Sequence, residues 1–316
     1  MKQTVKMIMD VDTGIDDALA ILFALKSGDV ELLGVTTAAG NVTAEQATLN
    51  TRQVLELAGA HIEVFQGAAK PISRDWVGTA SDIHGVNGIG EYVLPAPKVK
   101  DSAESALEYI IRKVNEFPNQ IVLVFVGRLT NLALALQADP TMVSKIKKLV
   151  IMGGAVRVPG NVTPEAEANI YGDPEAADLV FRSGIPLAVV GLDVTMKALF
   201  KEAHLERLLE QAEAGQEELL SFTKHIIQYR FEAYMRKKGI KGTALHDPLA
   251  VAVAINPSLV VMEKTHVRIK TEETHLLGAT IEEPQLSKVN PNAEVAIDVN
   301  TDAFIHMFIE TLARKL

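Results

Sequence analysis

Residues 7–25 read MIMDVDTGIDDALAILFAL. An apolar run stops at four aspartates, Asp10, Asp12, Asp16 and Asp17, and resumes at once, with no lysine or arginine between Lys6 and Lys26 to neutralise them. The first part has the length of a strand and the last that of a helix, with Gly14 free to turn between them. Asp10 and Asp12 stand two residues apart at the strand's end and so share one side of it. Asp16 and Asp17 open the helix, where free N–H groups and the dipole favour negative charge.

The same alternation continues outward. VELLGVTTAAGN reads as a second strand closed by a Gly-Asn turn, and TAEQATLNTRQVLELAG as a helix capped by Thr43, with Gln46 completing a capping box. IEVFQG, IVLVFVG, KKLVIMGG and IPLAVVGLDVT read as further strands. SAESALEYIIRKVNEF, LTNLALALQAD and DPEAADLVFRSG read as the helices between them. IVLVFVG is continuously apolar, as in a sheet covered on both faces. Strands regularly followed by helices predict an α/β fold with a mostly parallel, doubly wound, Rossmann-like sheet flanked by helices. Past Thr195 come a helical stretch over Lys201–Lys238, the segment GTALHDPLAVAVAI, mixed strands and a final helix. No linker or repeat interrupts the order, so one catalytic domain over residues 1–316 is expected.

Composition narrows the function classes. The chain is 48% hydrophobic and 22% charged, which excludes wholesale disorder. Its formal net charge of -9, without a long basic run, argues against nucleic acid and anionic membranes as partners. Zero cysteines removes disulfide and thiolate chemistry. The N-terminal MKQTVKMIMDVD reaches acids too soon for a signal-peptide core, and no apolar run approaches membrane-spanning length, so a cytoplasmic protein is expected.

In open α/β sheets ligands sit beyond the carboxyl ends of the strands, which is where the aspartates fall. A single acid there reads as a helix cap. Four converging carboxylates repel unless a cation compensates, and all-oxygen ligands suit calcium or magnesium. An EF-hand reading fails: counting from Asp10, the fifth position is Gly14 and the twelfth Ile21. A phosphatase of the aspartate-x-aspartate type expects threonine where Gly14 stands, which weakens that alternative.

DVDTGIDDALAI resembles the N-terminal signature of the nucleoside hydrolases, DxDPGxDDxxA, with Thr13 in place of the proline. The resemblance recurs at AAGN, DIHGVNGIG, VGRLTNLALAL, IMGGAVRVPGNVTPEAEANIYGDPEAA, GLDVTMK and HDPLAVA, in the family's order from residue 8 to residue 254. It implies a nucleoside hydrolase fold and calcium-dependent hydrolysis of the N-glycosidic bond of ribonucleosides to ribose and free base, in nucleoside salvage. By the same resemblance Asp12 is calcium ligand and general base, Asp17 and Asp247 are further carboxylate ligands, and the carbonyl of Val126 completes the set. Asp16, Asn41, Asn161, Glu167 and Asn169 are expected to grip the ribose. Glu167 and Asn169 alternate in EAEANI, so an extended backbone would aim both at one ligand. Ala168 stands where the family carries an aromatic residue. Asp10 is left as a site-shaping acid.

At the base end, His246 precedes Asp247 and is expected to assist the leaving group, since imidazole can donate a proton near neutral pH. Other histidines, including His61, His204, His225 and His306, lie in ordinary helical or turn contexts. His84, in DIHGVNG, is a second base-facing candidate on a glycine-rich loop. Tyr234 is expected to close over the base, whereas Arg230, one turn before it in QYRFEAYMRKKG, reads as helix surface. The purine-selective branch has tryptophan where His246 stands. The sole tryptophan, Trp76, belongs to another segment, so the broader inosine–uridine branch fits better. The resemblance also suggests a homo-oligomer, tetramer or dimer. A metal-dependent phosphatase and a nucleoside-binding protein without turnover are the rival readings.

Overall fold

A computed structural model describes residues 4–98 and 102–316. Met1 to Gln3, where the stretch read against a leader begins, lie outside the described residues. The strands are β1 (Val5–Val11), β2 (Val30–Thr37), β3 (Val64–Gln66), β4 (Ile121–Phe125), β5 (Lys148–Met152) and β6 (Leu187–Val190). With Ala293–Val299 and Val260–Thr265 they form an eight-stranded sheet in the order β3-β2-β1-β4-β5-β6, then Ala293–Val299, then Val260–Thr265. All pairs are parallel except the last. The expected mostly parallel α/β sheet is thus the observed one.

Residues of β1 show why it lies at the centre. Met7, Met9 and Val11 face one apolar cluster and Ile8 faces the other, each fully buried, so both sides of the strand lie in core. Burying a side chain of this kind contributes about 1.5–3 kcal/mol. On the first side the helices Ile15–Lys26 and Thr301–Ala313 meet through Phe23 and Phe308, ring centroids 5.7 Å apart. On the second, Phe65 and Tyr109 stack at 3.7 Å.

After β1 the chain fills one side of it with β2 and β3, then crosses to build β4, β5 and β6 on the other. The switch point between β1 and β4 leaves a crevice at their carboxyl ends. Asp12 follows β1 there, and Val126 follows β4.

Local departures have local causes. Thr43 caps the helix Ala44–Leu57 by accepting from the Gln46 N–H at 3.2 Å, but the Gln46 side chain donates to Asn50 instead of closing the box. IPLAVVGLDVT is not all strand: β6 ends at Val190, and Gly191 caps a short helix, Leu192–Thr195. The stretch over Lys201–Lys238 is two helices, Glu202–Gln211 and Glu217–Lys238. Gly215 adopts a positive φ of 86° between them. Gln216 there accepts from the Lys26 ammonium, which also donates to the carbonyl of Leu312 at 2.8 Å. Thr13 replaces a proline's stiffness with hydrogen bonds. Its hydroxyl pairs with that of Thr51 at 2.6 Å, and its carbonyl accepts from Asn50 at 2.9 Å. Among the described residues no helix is long and apolar enough to cross a membrane.

Candidate active site

The four aspartates occupy one buried site. Asp17, in the first turn of Ile15–Lys26, accepts from the Gly14 N–H at 2.9 Å and the Asp12 N–H at 3.0 Å. It therefore caps its own helix and fixes the turn that carries Asp12. Asn41 sits across from both. Its backbone N–H donates to Asp12 Oδ2 at 2.8 Å, and its amide nitrogen reaches Asp12 Oδ1 at 2.9 Å and Asp17 Oδ2 at 3.1 Å. Two carboxylate oxygens thus converge on one atom. The approach needs Gly40, where a Cβ would overlap the Asp12 carboxylate.

Asp10 is further into the sheet. It accepts from Asn131 at 2.7 Å and from the Thr36 hydroxyl through Oδ2, while Oδ1 has no partner among the described residues. Burial outweighs these bonds and, with Asp17 nearby, pushes its pKa up to about 7. An acid with a raised folded pKa keeps a proton that the unfolded chain releases, so stability falls as pH climbs from 3.8 to about 7. The expected result is that the Tm of metal-free protein declines across that window and declines less in Asp10→Asn. Equal slopes in calorimetric scans of the two proteins would exclude this account of Asp10.

Asp16 turns away from its neighbours. One oxygen pairs with the Arg230 guanidinium at 2.6 Å, and the other accepts from the backbone N–H groups of His246 and Asp247 at 2.9 and 3.2 Å. Arg230 is only 2% exposed, so the reading of it as helix surface is wrong. Its face of Glu217–Lys238 packs inward on the acid, which a buried guanidinium requires.

EAEANI is extended only as far as Glu167. Glu167 is the N-cap of the helix Ala168–Gly172 and accepts from the backbone N–H groups of Asn169, Ile170 and Gly154. Asn169 therefore lies inside the helix, and its amide donates to the carbonyls of Val126 at 2.7 Å and Met152 at 2.9 Å. Asn161 accepts from the Ala168 N–H at 2.9 Å. The two side chains expected to point together from a strand are brought together by a cap and a first turn instead.

At the other end, His246 opens the helix His246–Ile255 with both ring nitrogens engaged. Nδ1 lies 2.7 Å from the Thr195 hydroxyl and Nε2 lies 2.9 Å from that of Tyr234. His84 ends the short helix Ser81–His84 rather than lying on a loop, and its Nδ1 accepts from the Ile15 N–H at 2.9 Å. The neutral ring therefore carries its proton on Nε2.

A cavity of about 410 Å³ joins the two ends. Asp16, Asn41, Val126, Glu167, Asn169 and Asp247 line one part of it. His84, Tyr234 and His246 line the other, and Asn161 and Ala168 stand at its wall. Burial raises the pKa values of Asp12, Asp16, Asp17, Asp247 and Glu167. For Asp17 and Asp247, repulsion from neighbouring aspartates adds to it and takes both well above the usual carboxylate range. Burial, and then the Arg230 charge, holds His84 and His246 well below the usual imidazole range.

A family model described as "Inosine-uridine preferring nucleoside hydrolase" matches residues 7–306. The chain belongs to the inosine-uridine preferring nucleoside hydrolase family. It is thus an N-glycosyl hydrolase acting on ribonucleosides, which removes the phosphatase reading. This nucleoside hydrolase is 38% identical over 286 residues to "Uridine nucleosidase 1" of Arabidopsis thaliana, covering 90% of this chain and 84% of that one. It is 38% identical over 314 residues to "Pyrimidine-specific ribonucleoside hydrolase RihA" of Shewanella sp. (strain ANA-3), covering 97% and 96%. Its structure is similar to that of "Purine-Preferring Ribonucleoside Hydrolase from Gardnerella vaginalis", with a TM-score of 0.91, 35% identity and 98% of each chain covered.

Beyond the residues expected from its sequence, the nucleoside hydrolase places others at the site. Thr195 closes the hydrogen-bonded series with His246 and Tyr234, and Arg230 holds Asp16. Arg128 is 6% exposed and its charge acts on Asp12 and Asp173. Thr195 lay within a quoted family block, but its role needs a helix turn that the apolar run concealed. Arg128 also lay within such a block, VGRLTNLALAL, whereas Arg230 gave no local signal, since a lone arginine on a helix is ordinarily solvated.

Proposed function

We propose that the chain hydrolyses ribonucleosides, uridine among them, with one calcium ion in the aspartate site, as a cytoplasmic salvage enzyme. The observation that carries this reading is the convergence of Asp12 and Asp17 on the Asn41 amide, with Asn41 lining the same cavity as His246 and Tyr234. The names of the relatives support uridine as a substrate.

The residues fit a hard dication. Among the described residues no group of side chains already stands together as a metal cage. The Asn41 and Asn169 amides instead donate to oxygens of Asp12, Asp17 and Val126, the atoms expected to bind the ion. Those oxygens, with the Asp247 carboxylate, are all hard donors that repel one another without a cation. Asp12, Asp17, Asp247 and the Val126 carbonyl would hold the ion. Its chemistry there is to lower the pKa of a nearby water and to neutralise the acids.

Asp12 takes the proton of the attacking water. Asp16, Asn41, Asn161, Glu167 and Asn169 hold the sugar hydroxyls as the ring gains oxocarbenium character, and Arg230 keeps Asp16 in place. His246, between two hydroxyls, passes a proton toward the departing base, which His84 and Tyr234 contact.

The test is a nucleoside panel assayed for free ribose, with and without chelator. Turnover is expected to disappear with chelator and return with calcium. Tm should move with it, because a ligand at 100 times its Kd stabilises by about 2.7 kcal/mol. Full turnover in chelator would overturn the calcium assignment.

A further inference from the structure

The cavity carries its charges in two separate places. Three of its four acids, Asp16, Glu167 and Asp247, are at the sugar end, and the fourth, Asp82, is held by a lysine. Arg230 is consumed by Asp16, and Lys237 at the mouth pairs with Asp82. Lys238 also lines the cavity, and among the described residues no acid pairs with it. Its ammonium lies 4.9 Å from the centre of the Tyr234 ring, and Tyr234 holds His246 from its other end. The uncommitted cation is therefore at the base end.

We propose that Lys238 is a specificity-determining residue, favouring nucleobases that leave with negative charge on ring nitrogen and carbonyl oxygen, as uracil does, over amino-substituted bases such as cytosine. The proposal rests on the nucleoside hydrolase reading above and deepens it. In the reaction the C1′–N bond breaks and its electron pair stays with the base, while water supplies the new C1′–O bond. One proton of that water goes to Asp12, and the base takes up a proton as it departs. As that bond breaks, the sugar becomes positive and the base negative. Acids at one end and an ammonium at the other match this separation, and such matching acts on the transition state more than on the neutral substrate. Arg230 cannot take the role while it is bound to Asp16. Lys238 is exposed, so its contribution is that of a partly screened charge.

The experiment compares wild type, Lys238→Met and Lys238→Arg on uridine, cytidine and a series of 5-substituted uridines ending in 5-fluorouridine, whose bases are progressively stronger acids. Lys238→Met is expected to lower kcat/KM for uridine by about tenfold, through kcat. The loss should shrink toward 5-fluorouridine, because a more stable leaving anion needs the ammonium less. It should be small for cytidine, whose basic ring nitrogen beside the amino group takes up its proton early, so that cytosine leaves without building the negative charge the ammonium meets. The plot of log kcat against base acidity therefore becomes steeper. Lys238→Arg keeps the charge and should restore the wild-type slope. An equal loss on every substrate would overturn the proposal and mark Lys238 as a mere support for the Tyr234 ring; an unchanged slope with full activity would overturn it too. If wild type released ribose from none of these nucleosides, the reading of uridine as a substrate would fall, and the proposal with it.

Discussion

Replacing Asp12 by asparagine is expected to lower kcat by roughly 10³-fold, the range for loss of a positioned proton acceptor, while the protein stays folded. Asparagine keeps the size and one of the two oxygens that accept from Asn41, but cannot take a proton from water. Asp12 is 2% exposed, and its carboxylate raises the pKa of Asp17 and Asp247. Removing its charge relieves repulsion and offsets the one hydrogen bond lost from Asn41, so the metal-free variant should melt close to the wild-type temperature. Turnover is measured as ribose release, with calcium occupancy checked by calorimetry so that a lost base is not mistaken for a lost ion. Near-normal kcat with calcium bound would show that another group accepts the proton.

Substituting His246 with alanine is expected to act selectively. Cleavage of uridine should fall by roughly 10²-fold or more, since its base leaves poorly without a proton. Cleavage of p-nitrophenyl riboside, whose nitrophenolate needs none, should fall less than about tenfold. The selectivity follows from geometry. His246 touches Thr195 at 2.7 Å and Tyr234 at 2.9 Å, and burial keeps the ring neutral. A neutral imidazole can pass a proton only if one neighbour gives while the other takes. Thr195→Val and Tyr234→Phe should therefore each reproduce part of the uridine loss with little effect on the aryl riboside. If both substrates suffered equally in His246→Ala, the residue would be holding Asp247 in place and not serving the base.

How much of this was legible beforehand depended on range. Asp17 could be read as a cap because the groups it holds, Gly14 and Asp12, lie three and five positions away. The parallel sheet could be read because each strand-and-helix unit announces itself in its own periodicity. EAEANI was misread because alternation in three residues suits a strand, yet a glutamate also makes a good cap when backbone N–H groups from Gly154 and Ile170 are brought to it. The helix surface assigned to Arg230 failed for the same reason. Its partner is not one turn away but on the first helix of the chain.

The order of residues alone settled the α/β architecture, the position of the acids at the end of a central strand, and the family's signature blocks. Each of these is written in neighbours a few positions apart. Folding alone settled which acid pairs with a cationic side chain and which meets only hydrogen-bond donors. Asp16 meets the His246 backbone from 230 positions away, and Asp12 meets Asn41 from 29. Hydrogen bonds and charge repulsion act over a few ångströms, and only the packed chain decides which groups come that close.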